Sequence, residues 1–111
     1  MKAPAPKKGD FITLDFDPRS GHEQKGRRPA LVLSNGPFNR ATGMAIVCPL
    51  THTDRGIPFH IPVAGRTALT GFVMAEQVKS VDLAARKAKV IGHAPAALVE
   101  EVQDILNACL A

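Results

Sequence analysis

Two short runs, Ala30-Leu31-Val32-Leu33-Ser34 and Met44-Ala45-Ile46-Val47-Cys48-Pro49-Leu50, are almost unbroken in apolar residues. A strand with one wet face alternates apolar and polar side chains, so continuous runs of this kind predict short strands buried on both faces. They are expected to form the core, and whatever surrounds them must cover two faces of a sheet.

The flanking segments supply the cover. Gly9-Asp10 opens a strand-favouring run, Phe11-Ile12-Thr13-Leu14-Asp15-Phe16, that stops at Asp17-Pro18. Arg19 to Arg28 carries no apolar side chain to bury and reads as an exposed loop. Asn35-Gly36-Pro37 breaks the chain between the two apolar runs, leaving Phe38 to Gly43 as one helical turn or a loop. Further strands are expected over Ile57 to Val63, Gly71 to Ala75, Gln77 to Val81 and Lys87 to Ile91, and Pro58 and Pro62 mark the first of these as an edge. From Pro95 the period changes: Leu98, Val102, Ile105 and Cys109 recur every three or four residues, with Val99, Leu106 and Leu110 beside them. That spacing predicts an amphipathic helix with Pro95 at its first position. Short strands followed by one terminal helix imply a mainly β (α+β) fold, a small, strongly curved antiparallel sheet or SH3-like barrel with a C-terminal helix packed on it.

A chain of 111 residues suits a single domain, expected over 9–111 behind a flexible basic leader at 1–8. The leader has lysines but no apolar stretch after them, so it is not read as a secretory signal, and Met44 to Leu50 is too short to span a bilayer. A cytoplasmic protein without membrane contact is expected. Cys48 and Cys109 show no ligand or disulfide pattern and are read as buried thiols without a role. The net charge of +4 favours an anionic partner, and nucleic acid fits because cations that neutralise phosphates release counterions. With five Phe and neither Trp nor Tyr, an aromatic stacking platform is not expected to dominate such binding.

Chemistry concentrates in the first loop. Gly21-His22-Glu23-Gln24-Lys25-Gly26-Arg27-Arg28 has the glycine spacing of a phosphate-binding loop but places Arg27-Arg28 where Lys and a hydroxyl residue are required, which excludes nucleotide hydrolysis with magnesium. An imidazole, a carboxylate and guanidiniums together are what phosphodiester cleavage needs: a base, an acid and a cationic clamp. Asp15 and Asp17 alternate onto one strand face and could hold magnesium, though Asp17 is better explained as starting the turn at Pro18. His22, His52, His60 and His93 lack zinc spacing, so no metal site is expected. Lys79, Arg86, Lys87 and Lys89 form either a basic surface or a scattered solvated face.

Gly9-Asp10, Asp15-Phe16-Asp17-Pro18, Gly21-His22-Glu23-Gln24 and Arg28-Pro29-Ala30-Leu31-Val32-Leu33-Ser34 occur in an order and spacing that resembles the MazF/PemK/Kid family of toxins. The similarity continues through Phe38-Asn39, Cys48-Pro49-Leu50-Thr51, Gly71-Phe72-Val73-Met74-Ala75-Glu76-Gln77-Val78-Lys79-Ser80 and the terminal helix. The resemblance implies a CcdB/PemK-like barrel and a homodimer that cuts single-stranded mRNA at a short preferred sequence, with no metal or other cofactor. It further implies an acidic, partly disordered cognate antitoxin lying across a basic groove.

By the same resemblance Arg28 and Thr51 sit at the scissile phosphate, and the loop carboxylate is Glu23. Arg28 suits a clamp on the developing phosphorane charge, and Thr51 adds a hydroxyl donor. Glu23 either accepts the 2′-OH proton or orients Arg28, and His22 suits a proton donor to the leaving 5′-oxygen. Gln24, Lys25, Arg27, His52, Thr53, Gln77 and Lys79 are the expected RNA contacts, with the loops 19–27 and 52–58 reading unpaired base edges. Some members use an Arg and an Asp on the strand that here reads Met74-Ala75-Glu76, and Met74 cannot serve as that Arg. Two other functions would share the fold: an RNA- or antitoxin-binding relative without catalysis, and a gyrase poison of the CcdB type.

Overall fold

The computed structural model describes residues 5–15 and 26–111. In chain order they form β1 (Asp10–Asp15), β2 (Arg27–Val32), α1 (Gly36–Thr42), β3 (Met44–Thr51), β4 (His60–Pro62), β5 (Phe72–Met74), a 3-10 turn (Ala75–Gln77), β6 (Lys79–Asp82), β7 (Lys89–His93) and α2 (Ala96–Leu110). The strands make one antiparallel seven-stranded sheet ordered β4-β5-β3-β2-β1-β7, with β6 also paired to β3. Among the described residues the path ends on β4 and β7 rather than closing, so of the two expected forms, curved antiparallel sheet or SH3-like barrel, the structure takes the open sheet. Among the described strands β4 lies at an edge, as expected for a segment with Pro58 before it and Pro62 as its last residue.

The apolar runs are double-sided. Phe11, Leu31, Leu33, Cys48, Leu50, Ile61, Val63 and Val73 point to one face, where Leu98, Val99 and Val102 of α2 cover them. Alternate residues Ile12, Leu14, Ala30, Val32, Ala45, Val47 and Val81 pack into a second cluster on the other face. Sheet register aligns the two sets, pairing Phe11 with Leu31 and Leu31 with Cys48 on one face, and Val32 with Val47 and Ala45 with Val81 on the other. Each fully buried Leu or Ile contributes about 1.5–3 kcal/mol of burial free energy. Docking α2 is therefore a large part of what holds the sheet together.

Several boundaries differ from the sequence reading, each for a local reason. Arg27 and Arg28 begin β2 instead of ending the loop, because Leu14 and Asp15 of β1 supply them with partners. The segment 36–42 forms a real helix: the Asn35 side chain accepts the Phe38 N–H at 2.9 Å, and Gly43 ends it with φ 71°. Strand structure shrinks to His60–Pro62 in the Ile57 to Val63 segment, and Gln77 closes the 3-10 turn rather than starting β6. Pro95 occupies the N-cap, one residue before α2. Cys48 is buried, and burial first, then the Glu76 charge, pushes its thiol up to about 12. Cys109, expected to be buried, is exposed along with Leu110 because the last turn of α2 runs past the sheet.

The described end of the leader is anchored. Buried Asn39 donates through Nδ2 to the Pro6 carbonyl at 2.8 Å and to the Ser34 carbonyl at 3.1 Å. Ser34 Oγ donates back to Asn39 Oδ1 and accepts the Ile46 N–H at 2.8 Å, joining leader, α1 and β3. Asp10 is similarly placed. Its buried carboxylate accepts the Lys7 N–H at 2.9 Å and faces His93 Nδ1 at 2.8 Å and Lys7 Nζ at 3.5 Å, tying the leader and β7 to β1.

Burial by itself would raise the Asp10 pKa, but the Lys7 N–H, the His93 ring and the two positive charges outweigh it and hold the carboxyl below 3.8. A carboxyl depressed in the folded state contributes stability that is present above its unfolded pKa of about 3.9 and is lost as pH falls through the folded value. The unfolding free energy of the native chain is therefore expected to exceed that of Asp10→Asn at pH 6, with the gap shrinking below about pH 4. Urea titrations at a series of pH values check this, and a gap that stays constant or widens in acid contradicts it.

Candidate functional site

β2 and β3 pair with Ala30 opposite Pro49, and carrying that register two residues further along both strands reaches Arg28 and Thr51. Both residues line a cleft of about 200 Å³. Pro49 and Met74 form its apolar part, while Arg55, Gln77 and Lys79 complete its polar rim. Each arrives from a different element: Arg55 from the loop after β3, Met74 from the end of β5, Gln77 from the 3-10 turn and Lys79 from the start of β6.

The electrostatics are one-sided. Arg28, Arg55 and Lys79 are cations, and none of the described lining residues is a carboxylate. Such a concave surface concentrates field on an anion and repels a divalent cation. Thr51 Oγ1 accepts the Thr53 N–H at 3.2 Å, which orients the hydroxyl and leaves its proton to be donated.

One glycine makes this geometry possible. Gly71 leads into β5 with φ 100°, and a Cβ there would sit 2.5 Å from the Thr51 carbonyl oxygen. Only a residue without a side chain lets the β5 entry pass so close to Thr51, which pairs with Phe72.

Of the residues singled out in the sequence, the fold brings together Arg28, Thr51, Gln77 and Lys79. His52 and Thr53 follow Thr51 on the exposed loop, where His52 Nε2 lies 3.2 Å from Thr70 Oγ1. Arg27 is directed elsewhere. Strand alternation turns it to the opposite face from Arg28, where its guanidinium donates to Thr13 Oγ1, the Thr13 carbonyl, the Lys87 carbonyl and Asp15 at 2.9 Å. It ties β2 to β1 and to the turn before β7, and Asp15 is its ion-pair partner. His22, Glu23, Gln24 and Lys25 lie outside the described residues, as does Asp17. Glu76 points away from the cleft toward His60.

Three lining residues, Pro49, Arg55 and Met74, escaped the sequence reading as contacts. Arg55 was covered only as part of the loop 52–58, although a cation just beyond Thr51 was the available signal. Met74 stood out for the charge it lacks, and its place in the cleft wall shows that an apolar surface occupies that position.

A family model described as PemK-like, MazF-like toxin of type II toxin-antitoxin system matches residues 7–110. This chain belongs to that toxin family. Among its family relatives, the endoribonuclease toxin MazF of Escherichia coli K12 is 45% identical over 83 residues, covering 75% of this chain and 74% of that protein. The endoribonuclease toxin ChpB of the same organism is 44% identical over 99 residues, covering 85% and 84%. A chain from the MazE-MazF (Form-II) crystal structure of Deinococcus radiodurans superposes with TM-score 0.88 at 39% identity over 96% of both chains. The curved antiparallel sheet with its C-terminal helix is thus the fold of the MazF toxins.

Within that family fold the Gly71 approach should matter to both stability and cleft geometry. Gly71→Ala is expected to destabilise the protein by about 1–3 kcal/mol, because φ 100° strains any side chain and the Thr51 carbonyl must shift. A urea melt together with crystallography checks this. Unchanged stability with Thr51 in place would contradict it.

Proposed function

We propose that this chain is the toxin of a type II toxin-antitoxin system and a sequence-specific endoribonuclease that cleaves single-stranded mRNA without a metal ion. The observation that carries the reading is the meeting of Arg28 and Thr51 in one cation-lined cleft, in a chain whose relatives are named endoribonucleases. A gyrase poison would give this convergence of guanidinium, hydroxyl and amide no common purpose.

The chemistry follows from the residue types. The ribose 2′-oxygen forms a bond to phosphorus, the bond from phosphorus to the 5′-oxygen breaks, and the products are a 2′,3′-cyclic phosphate and a 5′-hydroxyl. No activated water is needed. Charge accumulates on the non-bridging oxygens of the phosphorane, where Arg28 supplies paired N–H donors and Thr51 supplies an O–H donor. Two protons must move, one from the 2′-OH and one to the 5′-oxygen. Glu23 accepts the first or orients Arg28, and His22 delivers the second.

Gln77, Lys79 and Arg55 hold the flanking strand, while His52 and Thr53, on the loop 52–58, face unpaired base edges. Gln24 and Lys25 act from the first loop. The same positive cleft suits an acidic antitoxin segment that competes with RNA, in keeping with the net charge of +4 and with the MazE-MazF composition of the similar crystal structure. We place the toxin in the cytoplasm, as a homodimer. No helix among the described residues is long and apolar enough to cross a membrane.

Incubation with a long single-stranded RNA in EDTA, followed by end mapping, tests the assignment. Discrete cuts with 5′-hydroxyl ends are expected, and Arg28→Ala should slow them by about 100- to 1000-fold, the usual cost of a lost oxyanion donor. Undiminished cutting by Arg28→Ala, or cutting that EDTA abolishes and magnesium restores, would overturn it.

A further inference from the structure

His60 opens β4 directly opposite Met74, the β5 residue in the cleft wall. Its side chain is 2% exposed. Nε2 lies 2.8 Å from Glu76 Oε2, while the buried Nδ1 has no hydrogen-bond partner among the described residues. A side chain there merely to fill space would be apolar, as the next residue Ile61 is, because burying an unpaired ring nitrogen is unfavourable. The imidazole is kept for what Nε2 holds.

What it holds is the turn that feeds the cleft. Ala75–Gln77 is a single 3-10 turn whose N-cap residue Met74 makes no side-chain cap bond. Its backbone ties are the Ala75 N–H to the Phe59 carbonyl at 3.0 Å and the Val78 N–H to the Ala75 carbonyl at 3.3 Å. Glu76 lies in the middle of that turn, next to Gln77 and shortly before Lys79, and both of these reach the cleft. The bond from His60 to Glu76 therefore fastens the turn to the edge strand β4 by a side chain.

We propose that His60 and Glu76 are a positioning pair that sets Gln77 and Lys79 against the bound RNA strand. It follows that the Glu76 carboxylate, although it falls where some members of the family carry an acid, acts on His60 rather than on the scissile phosphate. This rests on the reading of the cleft as the RNA site. A carboxylate held at 2.8 Å by a buried imidazole, and absent from the cleft lining, is not placed to take a proton from a ribose hydroxyl.

Steady-state cleavage of a short RNA by Glu76→Ala, Glu76→Gln, His60→Ala and Gln77→Ala separates the possibilities. Positioning predicts that Glu76→Ala raises KM about tenfold with kcat within about threefold, since substrate contacts are loosened while the phosphate clamp stays. Glu76→Gln should restore KM close to the native value, because the amide oxygen still accepts from Nε2. Adding His60→Ala to Gln77→Ala should raise KM by less than His60→Ala does alone, because of the two positioned contacts Lys79 is the one left to loosen. A general base would behave differently: Glu76→Gln would lower kcat by about 100-fold or more with KM intact, and that result overturns the proposal. So would unchanged KM in Glu76→Ala. If His60→Ala fails to fold, the two Glu76 variants decide alone. Failure of the RNA reading itself is distinct, for then the native chain leaves RNA intact and Arg28→Ala changes nothing.

Discussion

β3 pairs with three strands, β2 along one edge and β6 then β5 along the other, and from Val47 to Leu50 both of its faces are buried, while Ile46 is exposed. Its central residues have no solvent on any side, so every partner must be in place for the strand to be satisfied. Val47 illustrates the constraint, pairing with Val32 on one edge and Lys79 on the other while packing into the second core cluster. Backbone hydrogen bonding in a buried strand cannot be left open, and this forces β2, β5 and β6 to converge around the end of β3. The cleft forms at that convergence, where Pro49 and Thr51 leave the core. The functional groups are thus placed by the hydrogen-bonding demands of the core.

The site uses this frame economically. Arg28 and Thr51 come from paired strands, whose ladders hold them opposite Leu14 and Phe72, whereas Arg55 comes from the loop beyond and Gln77 from a short turn. Rigid donors suit transition-state charge, because donors already aimed at a developing oxyanion need no reorganisation during the reaction. Adaptable donors suit recognition of a flexible single strand. Arg27 and Arg28, adjacent in sequence, have separate roles: alternation sends one into a network of intramolecular bonds and the other to the cleft.

Most of the architecture was legible in the sequence because burial writes itself into periodicity. Continuous apolar runs marked β2 and β3, and the three-to-four spacing marked α2. What escaped depended on contacts distant in the chain. The strand start at Arg27 requires β1 as a partner, and the Asn39 network requires Pro6 and Ser34. At the site, Arg28 and Thr51 were identified through the family resemblance, and Gln77 and Lys79 with them. Arg27 and Arg28 looked equivalent in a linear reading, since pattern alone does not say which guanidinium is consumed internally. His60 was seen only as lacking a zinc pattern, because its partner Glu76 comes from another element.

The central claim is that the Arg28 and Thr51 cleft stabilises attack by the RNA's own 2′-oxygen. The most direct measurement maps the preferred cleavage sequence and then presents it as an RNA oligonucleotide with one 2′-deoxyribose immediately 5′ to the scissile phosphate. Binding of that oligonucleotide with near-native affinity and no cleavage is the predicted result. Cleavage at the substituted position would mean that water or another external nucleophile attacks, and would contradict the account.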